Sequence, residues 1–244
     1  MAKARRASAD RGDSHEGTTA LAKLRAQHEE LLRHVSHDLR TPLVALLLQA
    51  QILERSLDGG DPNRQRVSAI IAMTREFSAA IDRLVTTARL EAGLAKFSPE
   101  RIVLPRLVRD FVNRAFPAES RRVVVTAEAD LPEVVADQHL LETLVSVLLE
   151  RAIAASTAAV GLEMSRSDRE LHLAVKDQGP PAAQPAGSPA PARDRVVDPF
   201  HLARLIVELH GGRLWLGSAT GQGNIVTVAL PLGRAGRLAD RSGR

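Results

Sequence analysis

The chain has no cysteine and no tyrosine, and its aromatic residues are one tryptophan and five phenylalanines among 244 residues. Without thiols there is no disulfide framework and no thiolate metal site, which suits a reducing compartment. An aromatic content of 2% leaves no interleaved stacking platform of the kind that holds single-stranded nucleic acid. The core must come from Leu, Val, Ile and Ala, and the apolar content of 44% supplies it. No stretch reaches the ~18 consecutive apolar residues of a membrane-spanning helix, and the N-terminus has no apolar signal core. These absences predict a cytoplasmic protein. The formal net charge of +4 reflects two basic ends, Lys3 to Arg11 and Arg234 to Arg244. With no aromatic partners, they read as solvated tails and not as nucleic-acid contacts.

What the chain does have is helical periodicity over its first third. Residues 1–17 are polar and read as a disordered tail. From 18 to 57 apolar side chains recur at helical spacing through Leu24, Leu31, Val35, Leu39, Leu43, Leu46, Ala50 and Leu53. The run Asp58-Gly59-Gly60-Asp61-Pro62-Asn63 has turn chemistry throughout and ends that helix. A second helix is predicted over 64–94, with Val67, Ile70, Thr74, Phe77, Ile81, Leu84 and Ala88 in alternating three-four spacing. That is a coiled-coil-like seam with one polar lapse, at Thr74. One such hairpin buries too little surface to stand alone. Two of them make a four-helix bundle, so a homodimer is expected.

After residue 97 the period changes. Strands are predicted over 102–104, 121–127, 133–135, 158–164, 171–176, 213–217 and 225–230. Helices are predicted over 107–116, 137–156 and 199–210. A Pro/Ala/Gly-rich stretch, 179–191, interrupts them. The fold class is therefore α+β: a long helical hairpin over 18–96, an α/β sandwich over 97–232, and a basic tail over 233–244.

The chemistry sits in the first helix, in His34-Val35-Ser36-His37-Asp38-Leu39-Arg40-Thr41-Pro42-Leu43. A single histidine on a helix says little, but this string says more. His37 lies two residues from both Val35 and Leu39 and so points off the apolar seam. Neutral imidazole is a good nucleophile near neutral pH. Asp38 can hold the other ring nitrogen and take up its proton. Thr41 stands one turn on, on the same face, placed to position a water. Arg40 supplies a guanidinium that can pair with oxyanions. Pro42 removes a backbone donor and predicts a bend just past the histidine.

His37-Asp38-Leu39-Arg40-Thr41-Pro42-Leu43 resembles the H-box of sensor histidine kinases. Ala88-Arg89-Leu90-Glu91-Ala92-Gly93 is similar to the end of the second helix of their dimerisation and histidine-phosphotransfer domain, and 97–232 resembles their ATP-binding domain. The resemblance implies that His37 is phosphorylated on a ring nitrogen, that the chain dimerises, and that its partner is a response-regulator receiver domain. It also implies ATP and Mg2+ as cofactors. Only about 30 residues precede the H-box here, so the signal is expected from a separate sensor or kinase, or the chain is a relay component.

The nucleotide boxes depart from that pattern. Asp177-Gln178-Gly179-Pro180-Pro181 keeps the Asp and first Gly of an Asp-x-Gly-x-Gly box that holds adenine, making Asp177 and Gly179 the candidate cofactor-binding residues. Pro181 replaces the second Gly. In Val147-Leu148-Leu149-Glu150-Arg151-Ala152, Val147 and Arg151 stand where the family has asparagines, the second of them a magnesium ligand. A guanidinium has donors only and cannot ligate a cation; Glu150 is the neighbouring carboxylate that can. Val197-Asp198-Pro199-Phe200 resembles the next box, but the lid and Gly-x-Gly loop are missing. Gly221-Gln222-Gly223 reads as a hairpin turn. Phosphoryl transfer from ATP depends on positioning and metal charge, so the sequence predicts an impaired ATP site beside an intact phospho-acceptor. Two other readings stay open: an ATP-dependent autokinase with an atypical lid, and a non-catalytic dimeric adaptor.

Overall fold

A computed structural model describes residues 2–180, 200–218 and 223–233; in the first helix its side chains are described at Lys23 and from residue 26 onward. The chain divides into two units, 1–95 and 96–244. The stretch 181–199, the triplet residues Gly221 and Gln222, and the basic tail from Arg234 lie outside the described residues.

The first unit is a hairpin of α1 (Ala2–Ser56) and α2 (Arg64–Glu91). α1 begins well before residue 18, where the sequence predicted its start. Its first residues, Ala-Lys-Ala-Arg-Arg-Ala, are strong helix formers, and their propensity outweighs the polarity that read as disorder. α1 also continues as helix through Pro42. The connection is built by local polar bonds. Asp61 accepts from the Asn63 amide at 2.7 Å, and Arg64 donates to the Leu57 carbonyl at 2.9 Å, satisfying an orphan group at the end of α1.

The predicted seams each mix two faces. Ser36, Ala50, Val67, Ile71, Thr74, Ile81 and Val85 are buried between the two helices. Leu31, Val35, Leu39, Leu46 and Leu53 on α1, with Ile70, Phe77 and Leu84 on α2, are exposed. Thr74 is no lapse: it is buried, and its hydroxyl donates to the Ile70 carbonyl at 2.8 Å. Each helix thus carries one stripe for its hairpin mate and a second, uncovered one. Among the described residues, no helix is long and apolar enough to cross a membrane.

The second unit contains β1 (Glu100–Ile102), α3 (Leu104–Ala115), β2 (Val123–Ala127), β3 (Val134–Ala136), α4 (Gln138–Ala155), β4 (Val160–Ser167), β5 (Glu170–Asp177), α5 (His201–Leu209), β6 (Arg213–Ser218) and β7 (Asn224–Pro231). Five strands form one sheet in the order β2-β4-β5-β7-β6, with β2 parallel to β4 and the rest antiparallel. β1 and β3 pair separately. Leu104 opens α3 and does not end a strand, because Pro105 falls in the first helical turn, where its missing N–H costs nothing.

α3 packs on β2, α4 on β5 and α5 on β6, so the helices form one layer. Burial alternates along β5, with Leu171, Leu173 and Val175 facing that layer. α4 is apolar on most sides because it also meets α3 and α5. Leu140, Leu141, Leu144, Leu148 and Leu149 are all buried.

Candidate functional site

His37 projects from α1 with 78% of its side chain exposed. Its Nδ1 lies 3.3 Å from Asp38 Oδ1. A proton on Nδ1 pairs with that carboxylate, and this tautomer leaves the Nε2 lone pair unshared. The Thr41 hydroxyl donates to the His37 carbonyl at 2.9 Å. Its proton is therefore committed to the helix, and its lone pairs remain. Pro42 has no N–H for the Asp38 carbonyl four residues back. The helix nonetheless runs on unbroken through Pro42.

Arg40 reaches across the hairpin. Its Nη2 donates to Asp82 Oδ1 on α2 at 2.5 Å, so it is tied across the hairpin. Asp82 was missed by sequence reasoning; an acid inside a helical pattern carries no signal until its facing helix is known.

In the second unit Asp177 ends β5 with 6% of its surface exposed. Its Oδ1 accepts from the Gly179 amide at 2.7 Å and from Asn224 Nδ2 at 2.9 Å. Asn224 also donates to the Pro180 carbonyl at 3.0 Å. Asn224 was likewise missed, although its cross-strand pairing with Asp177 follows from the β5–β7 register. Two glycines are required here. A Cβ on Gly179 would stand 2.5 Å from the Ala155 carbonyl oxygen, and one on Gly223 (φ +83°) would collide with the Asp177 carbonyl. Gly223 is thus part of this site.

The structure brings Asp177 and Gly179 together but gives the other expected positions different work. Val147 is core. Arg151 lays its guanidinium 5.0 Å from the centre of the Phe200 ring, a cation–π contact. Glu150 accepts from the Ser146 hydroxyl at 2.7 Å. The buried Asp177 carboxylate, fixed by Gly179 and Asn224, fits an exocyclic amino group of a purine. Arg151 carries donors only and cannot itself ligate magnesium.

A buried histidine braces the same unit. His210 Nδ1 donates to the Ile206 carbonyl at 2.7 Å, and its Nε2 accepts from the Asp137 amide at 3.0 Å. Asp137 caps α4 through Leu140 N and binds the Ser98 amide through Oδ2. Phe97 meets the imidazole edge-on. Burial holds the His210 pKa below its ordinary value, against the opposing pull of the Ile206 carbonyl and the Asp137 charge. The folded state therefore binds this proton more weakly than the unfolded chain. The stability it contributes is full above the unfolded pKa of about 6.5 and is lost as pH falls through the folded value. The urea midpoint of the second unit should drop between pH 7.5 and 5.5. His210→Gln should start lower and lose that part of the slope. Parallel slopes in the two proteins would contradict this account.

Residues 27–93 match the His Kinase A (phospho-acceptor) domain family. Over 235 residues the chain is 24% identical to an adaptive-response sensory kinase, SasA, of Crocosphaera subtropica, covering 84% of this chain and 60% of that protein. It is 26% identical to the sensor protein KdpD of Escherichia coli, covering 90% of this chain and 26% of that one. It is also 26% identical to the sensor-like histidine kinase SenX3 of Mycolicibacterium smegmatis, covering 86% and 59%. The chain thus spans about three fifths or less of the length of these curated relatives. Among solved structures, full-length ShkA in complex with AMPPNP superposes with a TM-score of 0.61 at 24% identity, over 83% of this chain and 45% of that one. The histidine kinase ThkA in complex with the response regulator TrrA gives 0.51 at 16% identity, over 85% and 63%.

Proposed function

The chain belongs to the histidine kinase family, and from that premise we propose that His37 exchanges a phosphoryl group with the aspartate of a response-regulator receiver domain. The observation that carries this reading is the exposed imidazole with Asp38 at Nδ1, on a hairpin that matches a phospho-acceptor domain. In the forward step Nε2 attacks phosphorus, the Nε2–P bond forms, and the bond from phosphorus to the aspartyl oxygen breaks with the carboxylate leaving. The ring gains positive charge, which Asp38 stabilises as it shares the Nδ1 proton. In the phosphatase direction, a lone pair of the Thr41 hydroxyl orients a water.

The hairpin works as a homodimer in the cytoplasm. Leu39, Leu46, Ile70, Phe77 and Leu84 are large apolar side chains left exposed on the hairpin, the kind of surface that takes a partner, and a second hairpin covers it in a four-helix bundle. The receiver domain is the expected partner, as the ThkA complex illustrates for that protein. The ATP site is impaired because Arg151 stands where metal charge would be needed. The preserved Asp177–Gly179–Asn224 arrangement is the specific feature that favours the alternative, an autokinase of atypical lid.

The two readings separate by phosphoryl donor. The purified chain is offered radiolabelled ATP with Mg2+, or a radiolabelled phosphorylated receiver domain. Acid-labile label from the receiver and none from ATP is expected. Label from ATP would overturn the impaired-site reading.

A further inference from the structure

The ion pair of Arg40 and Asp82 joins α1 to α2 beside the phospho-acceptor. Arg40 follows His37 by three positions, so the two share a helix face with Cβ atoms about 5–6 Å apart. A phosphoryl group on His37 brings close to two negative charges and three acceptor oxygens within reach of that guanidinium. Planar guanidinium binds carboxylate and phosphate through the same donors, so it cannot serve both in full. We propose that Asp82 is a positioning residue for His37: it holds Arg40 on α2 while the imidazole is bare, and phosphorylated His37 competes for the same guanidinium. Phosphorylation then loosens the tie between the helices at that level. Binding linkage makes the coupling reciprocal. Removing Asp82 strengthens the hold of Arg40 on the phosphoryl group, and removing Arg40 abolishes the dependence on Asp82.

Both side chains are about half exposed, at 56% and 52%. Solvent screens such a pair, so the coupling expected is about two- to five-fold. The inference rests on His37 being a phospho-acceptor, but its test does not rest on enzymatic transfer.

The full chain is phosphorylated with phosphoramidate, a chemical donor to histidine, and the phosphorus NMR resonance that His37→Gln lacks is followed against pH. Asp82→Asn should lower the proton affinity of the phosphoryl group about two- to five-fold, because Arg40 then serves it alone. Arg40→Gln should raise it by a similar factor, and Arg40→Lys should largely rescue that change. The double variant should match Arg40→Gln. Unchanged helicity in every variant shows that the hairpin still folds. Coincident titrations in all of them would overturn the proposal. So would an equal effect of Asp82→Asn with and without Arg40, since that is only the loss of a nearby negative charge. A chain that takes phosphoramidate at His37 but refuses phosphorylated receiver domains sinks the functional reading and leaves this test intact. An unreactive His37 overturns both.

Discussion

His37→Gln is expected to abolish phosphoryl uptake from a phosphorylated receiver domain, by at least about three orders of magnitude. Glutamine keeps a helix-compatible polar side chain on an exposed position, so neither the hairpin nor its thermal midpoint should change. What is lost is the Nε2 lone pair of the residue that carries the phosphoryl group. Asp38→Asn isolates the second contribution. The amide keeps the size of the carboxylate but cannot take a proton or balance charge on the ring, so the rate should fall by roughly 10²-fold with binding of the receiver little altered. Transfer is measured by single-turnover loss of label from the receiver and its gain on the chain. A His37→Gln protein that still carried label would remove the phospho-acceptor assignment. One that lost label yet kept full signalling in cells would favour the dimeric adaptor.

The hairpin was legible in outline because its turn and its heptads are local features. Its faces were not. Val35 and Leu39 belong to the same helical series as Ala50, yet the first two are exposed while Ala50 is buried against Val67 and Ile71. A helix with two apolar stripes one position apart gives a single blurred period. Only the partner helix sorts Ile70 and Phe77 from Ile71 and Thr74. The same blindness hid Asp82, whose meaning depends entirely on what faces it.

The phospho-acceptor motif was legible because seven contiguous residues carry it, from His37 to Leu43. The candidate site around Asp177 was only half legible. Asp177 and Gly179 are neighbours in sequence, but Asn224 and Gly223 come from a strand some 45 residues on and meet them only through the β5–β7 register. Arg151 was legible as an exclusion, since a guanidinium cannot ligate a cation wherever it points. Its stacking on Phe200 needed α4 and α5 to be packed side by side. The His210 brace was invisible for the same reason: its partners, Asp137 and Phe97, lie 73 and 113 positions away.

Gly223→Ala should be the most damaging small substitution in the second unit. At φ +83° an L side chain is strained, and the added Cβ would meet the Asp177 carbonyl and the Gln178 backbone, neither of which can rotate away. Left-handed strain alone costs about 1–3 kcal/mol. The collision then forces β7 to part from the end of β5, which breaks the Asn224–Asp177 bond and exposes a buried carboxylate. A total of about 3–4 kcal/mol is expected, read as a fall of about 1–2 M in the urea midpoint. Gly161→Ala is the control. It lies in the same sheet, at an ordinary φ, and its Cβ would find only Lys176 Cβ at 3.6 Å, a normal contact. That variant should be neutral or slightly stabilising. Equal losses in the two proteins would mean that the sheet tolerates no added methyl, and that Gly223 has no special place against Asp177. A large loss confined to Gly223→Ala, with the hairpin's helicity unchanged, would show that the retained half of the cleft is held by backbone contact. The residues that fix Asp177 also hold two strands of the sheet together.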